Sequence, residues 1–226
     1  MPVVHPAEPA TFDQDVRGPG ALFLAIARAP KAAAWRNHNY WRRAHQDLYR
    51  GSNGVCVYSG SFTPRASGRA VDHASSIDHF VPKSHDPALA YEWSNFRLCR
   101  AILNQRKGDN RDVLDPVTLP GRWFVLDLVT FRIEPNDGLD GPNRRAVLES
   151  IRRLCLNDDD DLVDERARVI FNFAAGRLPR ADLISKFPYI DGELTAQQFE
   201  HVHLPRFAAL LLDARIRKAL QARGWV

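Results

Sequence analysis

The sequence predicts an α+β protein. Two short apolar stretches, residues 77–81 and 96–99, have strand character, and a helical pattern at 100–107 follows the second directly. On either side the apolar spacing turns helical, at 31–50 before this segment and at 143–156, 162–175 and 205–222 after it. At 226 residues, 45% of them hydrophobic, the chain can bury one good core with a smaller appended layer. No apolar run approaches the roughly 18 residues of a membrane span. The best candidate, 21–27, is closed by Arg28 and preceded by Glu8, Asp13 and Asp15, where a secretory signal needs positive charge. Three cysteines are too few for a disulfide framework, so a reduced cytoplasm is the expected compartment.

Taken in order, residues 1–20 are rich in Pro and Gly and read as an irregular leader. A short apolar helix is expected at 21–28, ended near Pro30. Residues 31–50 interleave Trp35, Tyr40, Trp41 and Tyr49 with Arg36, His38, Arg42, Arg43, His45 and Arg50, which predicts a helix with an aromatic side and a basic side. From 31 to 70 there are seven basic residues against one acid, a local charge of +6 in a chain of net +4. The basic side, Arg42 and Arg43 included, reads either as a phosphate-touching face or as solvated surface. Residues 51–54 form a turn, 55–58 a short strand and 61–73 a polar loop. Ile77, Phe80 and Val81 make a strand that Pro82 ends. After a linker at 86–93 comes the second strand, and then the two-turn helix, closed by Gly108 in a left-handed position. Arg100, Asn104 and Lys107 share one face of that helix, and Cys99, Ile102 and Leu103 share the other.

Beyond residue 115 the pattern changes. Residues 122–134 are strand-like and 136–141 a turn. The helix 143–156 would bury Val147, Leu148, Ile151 and Leu154. The acidic run 157–161 lacks the alternating spacing of a calcium loop and reads as a helix start. Further helices are expected at 183–187 and 195–202. The division is a basic helical region (1–50), a central core (51–115) and a strand-plus-helical region (116–226). No Gly-rich phosphate loop and no Ser-His-Asp or Cys-His arrangement is present, so no nucleotide cofactor is expected.

Asp78, His79, Asn95 and Asn104 are the polar residues whose types and order suggest chemistry. Cleaving a phosphodiester requires a deprotonated water, a neutralised phosphate and a stabilised leaving oxygen. An imidazole, with an unperturbed pKa of about 6.5, suits the first task. A hard divalent cation held by oxygen donors suits the others, and Asp78 and the Asn104 carboxamide can supply those oxygens. Asn95 can bond the backbone around His79 and hold its ring. Simple strand alternation would put Asp78 and His79 on opposite faces, so the strand must bend or end there.

These residues, over 55–109, resemble the HNH or ββα-metal nuclease family. Ile77-Asp78-His79-Phe80-Val81-Pro82-Lys83-Ser84 is similar to the family's first strand, Asn95 to its middle asparagine, and Asn104 with Lys107-Gly108-Asp109 to its last position. The nine-residue step from Asn95 to Asn104 is similar to that of the HNH domain of RNA-guided CRISPR nucleases. The resemblance implies a ββα-metal core with helical extensions. Within it Asp78 and Asn104 would be metal ligands, His79 the general base and Asn95 its positioner. It implies one Mg²⁺ or Mn²⁺, DNA as substrate, and 5′-phosphate and 3′-hydroxyl products. Arg97, Arg100, Arg106 and Lys107 read either as phosphate contacts or as plain surface charge. Many members carry two Cys-x-x-Cys pairs. Here Ser59 follows Cys56 and Ile102 follows Cys99, so no structural zinc is expected. Residues 148–170, with Asn157 and Arg166, resemble small HNH effectors of bacterial anti-phage systems of Septu or retron type. That likeness implies an ATPase or sensor protein as partner, docked on the C-terminal helices. Two rival readings stay open, an RNA- or tRNA-cleaving toxin and a catalytically idle nucleic-acid-binding module. His73 and His85 flank the motif, and His201-x-His203 reads as structural.

Overall fold

A computed structural model describes residues 5–27, 30–65 and 74–226. Helices make up most of the chain, and the described strands form two separate two-stranded antiparallel sheets, so the class is α+β. The chain forms two compact units. One comprises Val3–Tyr58 with Phe62–Thr118, and the other Leu119–Val226 with Met1–Pro2 and Ser59–Ser61. Most of the residues read as a basic region (1–50) and a central core (51–115) thus fall in the first of these. Among the described residues no helix is long and apolar enough to cross a membrane.

The first unit begins with a π-helical turn, Asp13–Arg17, running into helix α1 (Gly18–Ile26). The Pro- and Gly-rich composition suggested an irregular leader, but Phe12 and Val16, four residues apart, are both buried in the core. Pro19 sits in the first turn of α1, directly after the π-helical turn. Gly20 faces the ring of Tyr91, and a Cβ there would lie 2.2 Å from it, so only glycine lets α1 pack this closely.

The single helix expected at 31–50 is broken into 3₁₀ turns at Ala34–Arg36 and Tyr40–Ala44, then α2 (His45–Gly51). The interruption at Asn37–Asn39 is fixed by tertiary bonds. His38 Nδ1 pairs with Ala34 O at 2.8 Å, and the Tyr91 hydroxyl donates to His38 O at 2.6 Å. Trp35, Ala44 and Leu48 join the core, while Arg36, Arg42, Arg43 and Arg50 are exposed. The strand expected at 55–58 is reduced to one bridge, Val55 to Phe62, with Val57 N donating to Leu98 O.

Strand β1 (Ser75–His79) pairs antiparallel with β2 (Phe96–Arg100), Asp78 opposite Arg97 and His79 opposite Phe96. Helix α3 (Ala101–Lys107) springs directly from β2 and packs on both strands, with Leu103 fully buried. Gly108 closes it at φ +52°, a conformation open to glycine without strain. All five residues of β2 are buried, including Arg97. Its guanidinium forms a forked pair with Asp115, at 3.0 and 2.6 Å, which ties the chain leaving α3 back to β2.

In the second unit the stretch 122–134 is not one strand but a hairpin, β3 (Phe124–Leu126) with β4 (Ile133–Pro135). Asp127 accepts from Val129 N and the Thr130 hydroxyl, and Phe131 takes φ +58°, so the chain reverses. The left-handed residue is held by Arg166, whose Nε donates to Phe131 O at 2.7 Å. Asn157 pairs with both backbone groups of Ile133, each at 2.8 Å, extending the ladder with a side chain.

Seven helices follow: α4 (Gly141–Arg153), α5 (Asp160–Ala174), α6 (Arg180–Lys186), α7 (Pro188–Ala196), α8 (Phe199–Val202), α9 (Leu204–Leu212) and α10 (Ala214–Ala222). Asp140 and Asp159 cap α4 and α5, so the acidic run starts a helix. In α4 Val147 and Ile151 are buried, whereas Leu148, expected inside, is 48% exposed at the edge of the stripe. The terminal helix is split at Asp213, which caps α10 through Arg215 N and Ile216 N. His201 lies on α8 and His203 directly precedes α9.

Asp115→Ala would strand the Arg97 guanidinium in the core. Its expected cost is about 3–5 kcal/mol of unfolding free energy, read from a urea titration against the wild type.

Candidate active site

Strand β1 stops at His79. Phe80 N donates to Asn95 O at 2.9 Å, and the chain leaves the sheet toward Pro82. Because the strand ends at His79, the neighbours Asp78 and His79 reach one open cleft despite strand alternation. The cleft has a volume of about 370 Å³, and Trp41, Lys83, Asn104 and Asp109 also line it.

The His79 ring is only 6% exposed and packs edge-on against Trp41 and Phe96, with centroids 5.0 and 5.3 Å away. Its Nε2 lies 2.9 Å from Ala90 O. A carbonyl only accepts, so Nε2 carries the proton and Nδ1 keeps a lone pair. Nδ1 is 3.5 Å from the Lys83 ammonium. Burial, and then the charge of Lys83, lower the pKa of His79 to about 3, so the ring is neutral at pH 7.

Asn95 is buried and does not line the cleft. Its Oδ1 accepts from Val81 N at 2.8 Å, and its Nδ2 donates to Val81 O and Leu89 O, each at 3.0 Å. It thereby ties the loop just after His79 to the turn that carries Ala90, whose carbonyl holds the imidazole. Its place is a support for the ring.

Asp78 is 2% exposed. Tyr58 donates to its Oδ2 at 2.6 Å, and Lys107 Nζ donates to its Oδ1 at 3.0 Å and to His79 O at 3.1 Å. Burial pushes its carboxyl above the usual range, against the opposing pull of Lys107 and Tyr58. Asn104 anchors through Nδ2, which donates to Ser76 Oγ at 3.2 Å and Ile77 O at 3.0 Å. Its Oδ1 accepts no hydrogen bond among the described residues.

The cations expected at phosphates divide sharply. Arg97, Arg100 and Lys107, read from the sequence as phosphate contacts or surface charge, are buried. Arg97 is spent on Asp115, Arg100 donates to Phe62 O at 3.0 Å, and Lys107 serves Asp78. The reason is that β2 is covered on both faces and α3 turns Lys107 inward. Arg106 is half-buried. Arg42 and Arg43 are exposed, Arg43 lying over the Tyr40 ring and donating to Asp15 O. His85 is exposed and bonds Asp109 O, and His73 lies outside the described residues.

Three cleft or site residues carried no assigned role in the sequence reading: Tyr58, Trp41 and Lys83. Lys83 could have been found, standing four residues after His79 where the strand stops.

Among the described residues no group of three or more His, Cys, Asp and Glu side chains converges as a metal site. The oxygens that do share the cleft are the Asp78 carboxylate and the uncommitted Asn104 Oδ1. These two oxygens are donors of the type a hard divalent cation takes. Lys107 already offsets part of the charge of Asp78, so a cation bound here would share that carboxylate with it. No protein-family model matches the chain, and no curated protein matches it.

An NMR titration should find the His79 imidazole neutral from pH 8 to about pH 4. Its folded pKa lies below the unfolded value near 6.5, so the unfolded chain takes up the proton first. Stability therefore falls as pH drops from about 6.5 toward 3, by a few kcal/mol in order of magnitude from this group.

Proposed function

We propose that this protein is a metal-dependent endonuclease of the HNH kind, with β1, β2 and α3 as its ββα core and DNA as its substrate. The observation that supports the reading best is that Asp78, His79 and Asn104 line one cleft, with an imidazole whose free nitrogen is fixed by the Ala90 carbonyl. The resemblance of residues 77–84, 95 and 104–109 to that family points the same way.

In this reading Asp78 and the Asn104 carboxamide oxygen would hold one Mg²⁺ or Mn²⁺, and the ion would supply charge neutralisation at the phosphate and at the leaving oxygen. His79 Nδ1 takes a proton from a water whose oxygen attacks phosphorus. The bond from phosphorus to the 3′ oxygen breaks, that oxygen is protonated from solvent, and the products are a 5′-phosphate and a 3′-hydroxyl. A base of very low pKa is weak, but an anionic phosphate entering the cleft favours the imidazolium and raises it. Asn95 keeps the ring in place, which matters because small misplacements of a base are costly in rate. Exposed Arg42 and Arg43 are the remaining candidates for contacts along the strand. The likeness of 148–170 to anti-phage effectors extends the proposal to a defence role with an ATPase or sensor partner. Asn157 and Arg166 support that likeness only as internal braces of the hairpin, not as a docking surface.

Supercoiled plasmid and single-stranded RNA, each with Mg²⁺, Mn²⁺ or EDTA, test this reading. The wild type should nick or linearise plasmid only with metal, and His79→Ala should lose at least about 10²-fold in rate while still binding DNA in a gel shift. Cleavage that persists in EDTA or in His79→Ala would sink the assignment. Asn95→Ala should slow cleavage and lower the melting temperature together, since a buried three-bond bracket is lost.

A further inference from the structure

The most unusual charge in the first unit is Lys83. Its ammonium is half-buried in the cleft, 4.8 Å from the Trp41 ring centroid and 3.5 Å from His79 Nδ1. It forms no ion pair among the described residues. The contrast with its neighbours is instructive. Lys107 and Arg97, two other cations near the motif, are each bonded to a carboxylate. Withdrawing an ammonium from water without a counter-ion is unfavourable, and burial lowers the pKa of Lys83 accordingly. An indole face offsets only part of that cost. Two acids line the same cleft, but neither bonds this ammonium: Asp78 is committed to Lys107 and Tyr58, and Asp109 is exposed at the rim. A cation held in a cleft, beside the free nitrogen of a neutral histidine and without a partner anion, is suited to an anion that arrives from outside.

We propose that Lys83 is a further catalytic residue, whose ammonium donates to a non-bridging oxygen of the phosphate under attack. This rests on the nuclease reading above. The 3.5 Å contact with Nδ1 is too long to be a strong hydrogen bond, so it yields readily to a phosphate oxygen. When Lys83 turns to the phosphate, Nδ1 is left open to the attacking water, and one movement both binds the anion and uncovers the base. No covalent bond to Lys83 is made. Its charge acts on the oxygens as negative charge gathers there.

The test compares wild type, Lys83→Met, Lys83→Arg and His79→Ala in single-turnover plasmid cleavage with Mg²⁺. Lys83→Met should lose about 10²–10³-fold in kcat with a much smaller change in KM, and Lys83→Arg should recover at least tenfold of that loss. Equal melting temperatures for the two Lys83 variants and the wild type exclude a folding defect. In parallel, protein carrying ¹⁵N at lysine Nζ is titrated with inorganic phosphate in EDTA. The Lys83 resonance, identified by its loss in Lys83→Met, should shift saturably. If the wild type cleaves while Lys83→Met stays within threefold of it, or if the resonance ignores phosphate, the role of Lys83 is refuted and the nuclease reading stands. A wild type that cleaves neither DNA nor RNA refutes both together.

Discussion

The Lys107 ammonium is the fastening on which the site depends. Its side chain is fully buried, and it joins the Asp78 carboxylate and the His79 carbonyl, the last two residues of β1, to the last turn of α3. Breaking a pair this deep leaves an uncompensated charge in the core, a loss of about 3–5 kcal/mol. The same contact fixes the geometry of the cleft. It holds the strand end against the helix that carries Asn104, one turn earlier on the inward face. Without it the carboxylate keeps only its bond from Tyr58, and the strand end loses its direct tie to the last turn of α3.

Around that fastening the polar residues work in pairs of backbone and side chain. Asn95 brackets the loop after His79, Ala90 O sets the tautomer, and Arg97 with Asp115 closes the chain behind β2. Nearly every buried charge or amide in this part has a partner, as the low interior dielectric demands. The second unit follows the same rule: Arg166 and Asn157 satisfy the carbonyls and amide of a tight hairpin that lacks the length to satisfy itself.

Much of this was legible from residue types. Strand character around Ile77 and at 96–99, a helix ended by Gly108, and a helix start in the acidic run 157–161 follow from local chemistry, and they emerge close to the expected places. The convergence of Asp78 with His79 required the strand to end at that point, a condition the sequence could state through Pro82 but not decide. What was not legible is mostly tertiary. Lys107 and Arg97 look like surface cations in a row of letters, and only the burial of both faces of β2 turns them inward. The segment 31–50 has helical periodicity, yet bonds from Tyr91 to His38 hold it broken. Phe12 and Val16 were hidden by their Pro- and Gly-rich company, although their spacing already matched one helical face.

The absent side chain at Gly20 has a reach beyond α1. It admits the ring of Tyr91, which in turn lies against Trp41, and Trp41 is a wall of the cleft beside His79. One added methyl would press on Tyr91, tilt the indole and narrow or skew the entrance from behind. The first turn of a helix composed largely of glycine, alanine and leucine thus acts as a spacer gauge for a pocket to which it contributes no lining atom.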